Sequence, residues 1–566
     1  MTRAAAKPAS PASKPAPAAG NGRPAMDLRS VTVQVMADEA VLREGGGPAG
    51  QARQKKLGRM TARERITALT DADSPWLELN LWAGWHMYPE VGDVPAAGVV
   101  CGVGVVHGRA CMIIANDATV KAGAFFPATA KKIIRAQNTA IRCSLPLVYL
   151  VDSAGVYLPM QDEVFPDEDD FGRIFRNNAV ISAMGIPQYS AVMGNCVAGG
   201  AYLPVLSDKL LMTADSELYL AGPALVRAAI GQQVDAAELG GAKMHAEISG
   251  TVDFFEPDDA HCIKRLRDLI DMLPEPRRDA TQEHGTPDDV AVPAARSPEL
   301  DPQSLYDLVS PDGRREYDVR DLLRAVCDAG TINEYKADYG KTLVCAYARV
   351  AGRPVGVVAS QRTRNKSAKG ELQIGGVIYH DSADKAARFV MDCDQTGLPL
   401  VFIQDVTGFM VGRDSEQAGI IRAGAKLVNA MSNVRVPKIT VVVGGSFGAG
   451  NYALCGKAFD PTFIFAWPSG KYAVMGAAQA ANTLLQLERR QAERAGKEMD
   501  EEAVKALRQK ITGRYEDQTD IRYGAARGWV DAVIPPHETR SVLSLALDLA
   551  TRPKPEGGFR GGVFQV

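Results

Sequence analysis

LPLVYLVDSAG (Leu145–Gly155) and LPLVFIQDVTG (Leu398–Gly408) are one eleven-residue pattern written twice in a chain of 566 residues. Each is an apolar run, rich in Val and Leu and too short for a typical helix, that stops at Asp and then glycine. That is the pattern of a strand buried on both faces and closed by a turn. The copy extends further. GIPQYSAVMGNCVAGGAY (Gly185–Tyr202) returns as RVPKITVVVGGSFGAGNY (Arg435–Tyr452), and the turn His107–Arg109 returns as Ala351–Arg353. The spacings agree, since Asp405 stands 253 positions after Asp152 and Gly450 stands 250 after Gly200. Between the strands, Pro127–Ile141 and Asp381–Cys393 set apolar residues at helical spacing, with Lys and Arg on the other face. Strands alternating with helices predict an α/β layered domain, here present twice.

Length alone favours two large domains. Residues 1–27, rich in Ala and Pro without an apolar core, are expected to form a disordered tail and not a signal peptide. The expected division is then a first domain over 28–275, a Pro- and charge-rich linker over 276–304, and a second domain over 305–566. Charge is nearly balanced, with 64 Lys+Arg against 67 Asp+Glu, which points to neither nucleic acid nor an anionic membrane. No apolar run reaches the roughly 20 residues that span a bilayer. The nine cysteines include no CxxC pair, which fits a reducing compartment and argues against a zinc ribbon.

The chemistry is concentrated in two glycine-rich turns, CVAGGAY (Cys196–Tyr202) and SFGAGNY (Ser446–Tyr452). Each follows a Val-rich strand and opens an expected helix, where small residues let backbone approach a ligand and amide N–H groups attract negative charge. Close helix–strand packing would suffice for one such turn. The same device at the same place in both halves favours an oxyanion hole in each. Gly444–Gly448 also satisfies the G-x-S-x-G nucleophile elbow. Its repeat partner for Ser446 is Cys196, so small residues and not a hydroxyl are what the turns share. Neither turn spells G-x-G-x-x-G, and no P-loop, HExxH or EF-hand loop occurs. Asp152 and Asp405 cap matching strands, where they serve either acid–base chemistry or turn formation.

From about Gln51 onward the chain resembles the crotonase-type carboxyltransferase subunits of biotin-dependent acyl-CoA carboxylases. Lys56–Ile66 resembles their opening helix, and Ala115–Ala140 their acyl-CoA-facing segment. The blocks Gln161–Asn177, Gly448–Pro461 and Trp467–Leu484, with the terminal GVFQV, place it nearest the 3-methylcrotonyl-CoA carboxylase β-subunit branch. The resemblance implies two homologous crotonase-like domains. Gly199 and Gly200 would stabilise the enolate oxygen of an acyl-CoA thioester, and Ala449 and Gly450 the ureido oxygen of biotin. It also implies acyl-CoA contacts at Ala118, Lys121, Gly123, Lys131, Lys132, Arg135, Ala154 and Gly155, with Lys and Arg facing the CoA phosphates or simply solvent. Biotin contacts are implied at Thr407, Gly408, Phe409, Phe447 and Gly448. No metal is expected in this subunit.

Neither a biotin-acceptor Ala-Met-Lys-Met signature nor an ATP-grasp domain is found; Gly241–Glu247 is the nearest match to the former. A second subunit bearing biotin carboxylase and biotin carrier functions is therefore expected, with a homohexamer of this chain as the core. A cytoplasmic location is expected in a bacterium and a mitochondrial matrix location in a eukaryote. The same residues would also serve a biotin-dependent decarboxylase, a carboxylase of propionyl-, acetyl- or geranyl-CoA, or a non-catalytic assembly protein. Arg362–Gln373 is extra in the second half and leaves the acyl group open.

Overall fold

The computed structural model describes residues 27–552 apart from 165–166, 220–221, 224–225, 228–231, 275–293, 368–369, 412–414, 416, 475–484 and 486–500. Residues 1–26 of the expected tail (1–27), most of the expected linker, much of the Trp467–Leu484 block and the terminal Gly562–Val566 lie outside the described residues.

The duplication is complete at the level of sheet topology. The first sheet contains β1 (Leu77–Leu79), β2 (Val99–Val106), β3 (Arg109–Asn116), β4 (Leu147–Ser153), β5 (Gln188–Val197), β6 (Lys209–Thr213), β7 (Glu217–Tyr219) and β8 (Phe254–Glu256). Its order is β1-β2-β3-β4-β5-β6-β8, with β7 paired to the end of β5. In the second half, β9 (Asn333–Tyr335), β10 (Leu343–Val350) and β11 (Arg353–Ser360) are followed by three short strands, β12 (Asn365–Lys366), β13 (Leu372–Gln373) and β14 (Val377–Ile378). Then come β15 (Leu400–Val406), β16 (Gly408–Phe409), β17 (Lys438–Phe447), β18 (Phe463–Ala466), β19 (Lys471–Ala473) and β20 (Ala532–Val533). The second sheet runs β9-β10-β11-β15-β17-β18-β20, with β19 paired to the end of β17, which is the first order repeated. The β3–β4–β5–β6 and β11–β15–β17–β18 neighbours are parallel. The strands quoted at the outset, β4 and β15, are buried at every position, as a parallel sheet covered on both faces demands.

Local chemistry explains why both copies fold alike. The hairpin turns His107–Gly108 and Ala351–Gly352 all lie at positive φ, the geometry that matches strand twist in a two-residue hairpin. A carboxylate steadies each: Asp71 accepts from the amides of His107 and Gly108, and Asp328 from those of Ala351 and Gly352. Arg267 and Arg540 pair with these two aspartates. Helices Pro127–Cys143 and His380–Gln395 start with matching side-chain bonds, the Phe126 amide donating to Thr129 Oγ1 and the Tyr379 amide to Ser382 Oγ. The Arg362–Gln373 segment forms the β12–β13 hairpin between β11 and the helix that follows.

The halves are not two separate cores. Helix Leu28–Arg43, grouped with the first half on sequence, packs Val35 and Leu42 against Val442, Ile464 and Ile521 of the second. A buried ion cluster crosses the same boundary. Arg135 on helix Pro127–Cys143 donates from Nε and Nη2 to Asp531 at 2.8 and 2.7 Å, and Lys457 Nζ lies 3.2 Å from the same carboxylate. The Ile464 amide also donates to it. Burial works to raise the Asp531 carboxyl, but Arg135 and Lys457 overcome it and hold the group well below the ordinary carboxylate range.

Removing one member of a buried pair leaves the other charge uncompensated. Asp531→Ala is expected to cost about 3–5 kcal/mol, read as a lower denaturant midpoint. Because the folded carboxyl is depressed, its contribution is complete above the unfolded value of about 4 and fades as pH falls below it. The acid limb of wild-type stability should therefore be blunted in Asp531→Asn.

Candidate active site

In each half the glycine turn sits where the central long strand, β5 or β17, ends over the tip of its neighbour. In the first half the turn is a short 3-10 segment, Ala198–Ala201, running into helix Tyr202–Val205. In the second it opens helix Gly448–Ala453 directly. A Cβ built on Gly450 would stand 2.7 Å from Val406 Cγ2 and 3.3 Å from Gly408 Cα. One built on Gly200 would stand 4.0 Å from Gly155 Cα. In both halves the turn thus faces the glycine just past the neighbouring strand, Gly155 or Gly408, although in the second half the Val406 side chain is the nearer neighbour. The first turns of helices carry amide N–H groups without intrahelical acceptors, so these places suit negative charge.

The structure brings most of the candidates together. Around the first turn, Gly123, Ala154 and Gly155 are strapped to one another: the Ala154 amide donates to the Ala122 carbonyl, Ser153 Oγ to the Gly123 carbonyl, and the Phe125 amide to the Gly155 carbonyl. Lys121, Ala122 and Gly123 form a run at positive φ, which only a tight crossing of backbone would impose on Lys and Ala. A Cβ on Gly123 would fall 2.2 Å from the Asp152 carbonyl oxygen, so glycine is required there. Ala118 is buried, and Lys121 and Lys131 are exposed. Around the second turn, Thr407 donates from both its amide and Oγ1 to the Gly376 carbonyl, and Gly408–Phe409 pairs with Val377–Ile378. Phe409 and Phe447 are half-buried, Ala449 is exposed and Gly450 is buried.

Two expectations for CoA phosphates need correcting. Lys132 is buried and donates to the Ala96 carbonyl at 3.1 Å, and Arg135 is committed to Asp531 and to the carbonyls of Pro461 and Thr462. Both belong to a helix covered on two sides, by its own sheet and by the second half, so neither charge is available to a ligand. Burial depresses the Lys132 ammonium.

The remaining alternatives also resolve. Ser446 is buried; its Oγ donates to Gln404 Oε1 at 2.6 Å and accepts from Asn451 Nδ2 at 2.8 Å. It is a packing hydroxyl, and among the described residues no histidine serves it. Its repeat partner Cys196 is buried, and burial pushes that thiol up. Asp152 and Asp405 are buried beneath their turns, and burial lifts the Asp152 carboxyl against the pull of Arg65 and Arg59. Sequence reading missed Gly194 and Gly444, which stand over these aspartates. The signal was present, because the repeat aligns the two glycines at the same offset of 250 as Gly200 and Gly450. Among the described residues no cluster of His, Cys, Asp and Glu has the arrangement of a metal site, and no helix is long and apolar enough to cross a membrane.

Comparison with known proteins agrees with this geometry. The carboxyl transferase domain model matches residues 53–556, and the chain belongs to that family of enzymes. Within it the chain falls in the branch of the methylcrotonyl-CoA carboxylase β subunits. It is 43% identical over 524 residues to the biotin-dependent 3-methylcrotonyl-coenzyme A carboxylase β1 subunit of Mycobacterium tuberculosis, covering 92% of this chain and 94% of that one. It is 41% identical to the mitochondrial methylcrotonoyl-CoA carboxylase β chain of Arabidopsis thaliana, covering 95% and 88%. The crystal structure of the P. aeruginosa geranyl-CoA carboxylase β subunit superposes with a TM-score of 0.82 at 32% identity, over 95% of this chain and 96% of that one. The crotonase-like fold is shared.

A buried, doubly hydrogen-bonded Ser446 should not react as a nucleophile. Treatment with a fluorophosphonate probe is expected to give no adduct on the Ser446 peptide by mass spectrometry; an adduct there would restore the hydrolase reading.

Proposed function

We propose that this chain carries the carboxyl-transfer step of a biotin-dependent carboxylase acting on a branched, unsaturated acyl-CoA of the 3-methylcrotonyl type. The observation that carries the reading is the pair of equivalent glycine crossings, Gly155 with Gly200 and Gly408 with Gly450. In the first half, the backbone amides of Gly199 and Gly200 take the charge that develops on the thioester oxygen when the acyl group loses a proton. Fixed dipoles in a water-poor site stabilise such an anion without reorganising. An aromatic series, Phe125, Phe171, Phe175 and Tyr202, runs from beside that turn to the surface with ring centroids 4.7, 5.0 and 5.9 Å apart in succession. Phe125 and Phe171 are buried in the core, so half-buried Phe175 and exposed Tyr202 are the apolar surface it offers to a branched acyl chain. Exposed Lys121 and Lys131 are the cations left for the CoA phosphates.

The second half suits the biotin ring by the same test of fit. A close backbone crossing leaves amides of Ala449 and Gly450 for a ureido oxygen, and half-buried Phe409 and Phe447 flank it with apolar surface. Carboxybiotin, when bound there, supplies the one-carbon unit and the base. The chain's own part is to hold and polarise: no Asp, Glu, His or Lys lies within either turn. A separate subunit carrying biotin carboxylase and the biotinyl domain, and a homohexamer of this chain as the core, complete the proposal.

Purified with its native partners and given ATP, labelled bicarbonate and a panel of acyl-CoAs, the complex is expected to put acid-stable label on 3-methylcrotonyl-CoA. Preference for geranyl-CoA would move the substrate within the same class, and no fixation despite a biotinylated partner would sink the proposal. Gly200→Val and Gly450→Val should each lower kcat by roughly 100-fold or more while leaving the oligomer intact by size-exclusion chromatography.

A further inference from the structure

We infer that Asp152 and Asp405 are positioning residues, each clamping the strand that delivers one of the two glycine turns; this rests on reading those turns as the reacting sites. The ladder between β4 and β5 is in register through Val151–Val192 and resumes at Ser153–Cys196, two residues on in β4 and four in β5. Between β15 and β17 it runs through Gln404–Val442 and resumes at Val406–Ser446, the same slip. The aspartate fills the slip in both halves. Asp152 Oδ1 accepts from the Asn195 amide at 3.2 Å, and Asp405 Oδ1 from the Gly445 amide at 2.8 Å. A Cβ on Gly194 would stand 2.2 Å from the Asp152 carboxylate, and one on Gly444 would stand 2.4 Å from that of Asp405. The glycine exists so that the carboxylate can lie against the strand.

The cations behind these carboxylates come from different elements. Arg65, on helix Ala62–Leu69, has Nη1 3.4 Å from Asp152 and also donates to Asp259 and the Met193 carbonyl. In the second half Arg362, at the root of the β12–β13 hairpin, has Nε 3.3 Å from Asp405, and Tyr317 donates its hydroxyl to the same oxygen at 3.1 Å. What the two halves share is therefore the carboxylate on the amide with an arginine behind it, not the element that supplies the arginine. The clamped residue is the last inside the slip: Asn195 and Gly445 begin the three-residue pairing with β7 and β19 that ends each strand, and Gly200 and Gly450 follow five positions later. A strand free to slide here would carry its turn with it. Neither carboxylate reaches the surface, at 3% and 4% exposure, so neither acts on substrate itself.

The test compares Asp→Asn, which keeps an acceptor for the amide, with Asp→Leu, which keeps size and loses it, at each site in the assembled enzyme. Amide hydrogen exchange of peptides spanning 190–205 and 440–455 is read beside kcat and acyl-CoA KM. Asp152→Leu is expected to speed exchange about tenfold in the first peptide only, and Asp405→Leu in the second only. Each should lower kcat roughly 100-fold with KM changed less than about twofold, and Asn should recover most of both. Should the Leu variants fail to fold, Gly194→Ala and Gly444→Ala push the carboxylate off the amide while keeping its charge, and the same half-specific changes are expected. Unchanged exchange in the matching peptide, or Asn as damaging as Leu, overturns the clamp and leaves a charge-balancing role. Activity surviving Gly200→Val and Gly450→Val would instead sink the reading of the turns as reacting sites, whatever the exchange data show.

Discussion

Everything near the candidate site depends on glycine backbone passing close to glycine backbone. Gly450 passes Gly408, and Gly200 passes Gly155, at distances where an added methyl group would contact the opposite chain. Such a crossing places amide dipoles at a solvent-reachable point and excludes the usual acid and base side chains from it. The strands beneath must therefore be fixed by something other than the turn. The aspartates at the register slips, and the glycines that make room for them, meet that need in both halves.

Duplication supplies two such points from one design, and the differences between the halves show where the design was free to change. The cations supporting the aspartates come from unrelated elements. Residues Lys132 and Lys385 occupy matching helix positions and are both buried, yet among the described residues Lys132 finds an acceptor, in the loop before β2, and Lys385 finds none. The corresponding loop before β10 is short and provides none for Lys385. What stayed fixed is the strand order, the slip and the glycine crossing.

Much of this was legible in the sequence because the residues that set backbone geometry are few and unmistakable. Asp152 and Asp405, the turn at His107 and its copy at Ala351, and the paired glycines could be aligned by eye, and the α/β class followed from them. The helix Pro127–Cys143 was harder to read. Its Lys and Arg residues look like a solvated or ligand-facing side when only one half is considered. Arg135 is turned inward because Asp531, 396 positions away, waits on the other side of the helix. No periodicity in a single segment reveals a second covering surface. For the same reason, nothing within residues 28–43 tells that this segment packs against the second half as well as the first.

The crossing of the two halves through Arg135 and Asp531 bears on function as well as stability. Helix Pro127–Cys143 begins just after the Lys121–Gly123 crossing that straps Gly155, and its far side is bolted to the loop ahead of β20. On the proposed reading, the acyl-CoA site of one half is therefore built on an element that the biotin half holds in place. A cluster of buried charges is a costly way to join two surfaces, since apolar packing of equal volume would often be as stable. Its advantage is orientation: a bidentate guanidinium–carboxylate pair fixes an angle that a greasy contact would not. On that reading the catalytic groups are backbone amides, with no side chain to adjust its rotamer, and the angular precision sets where the amides point.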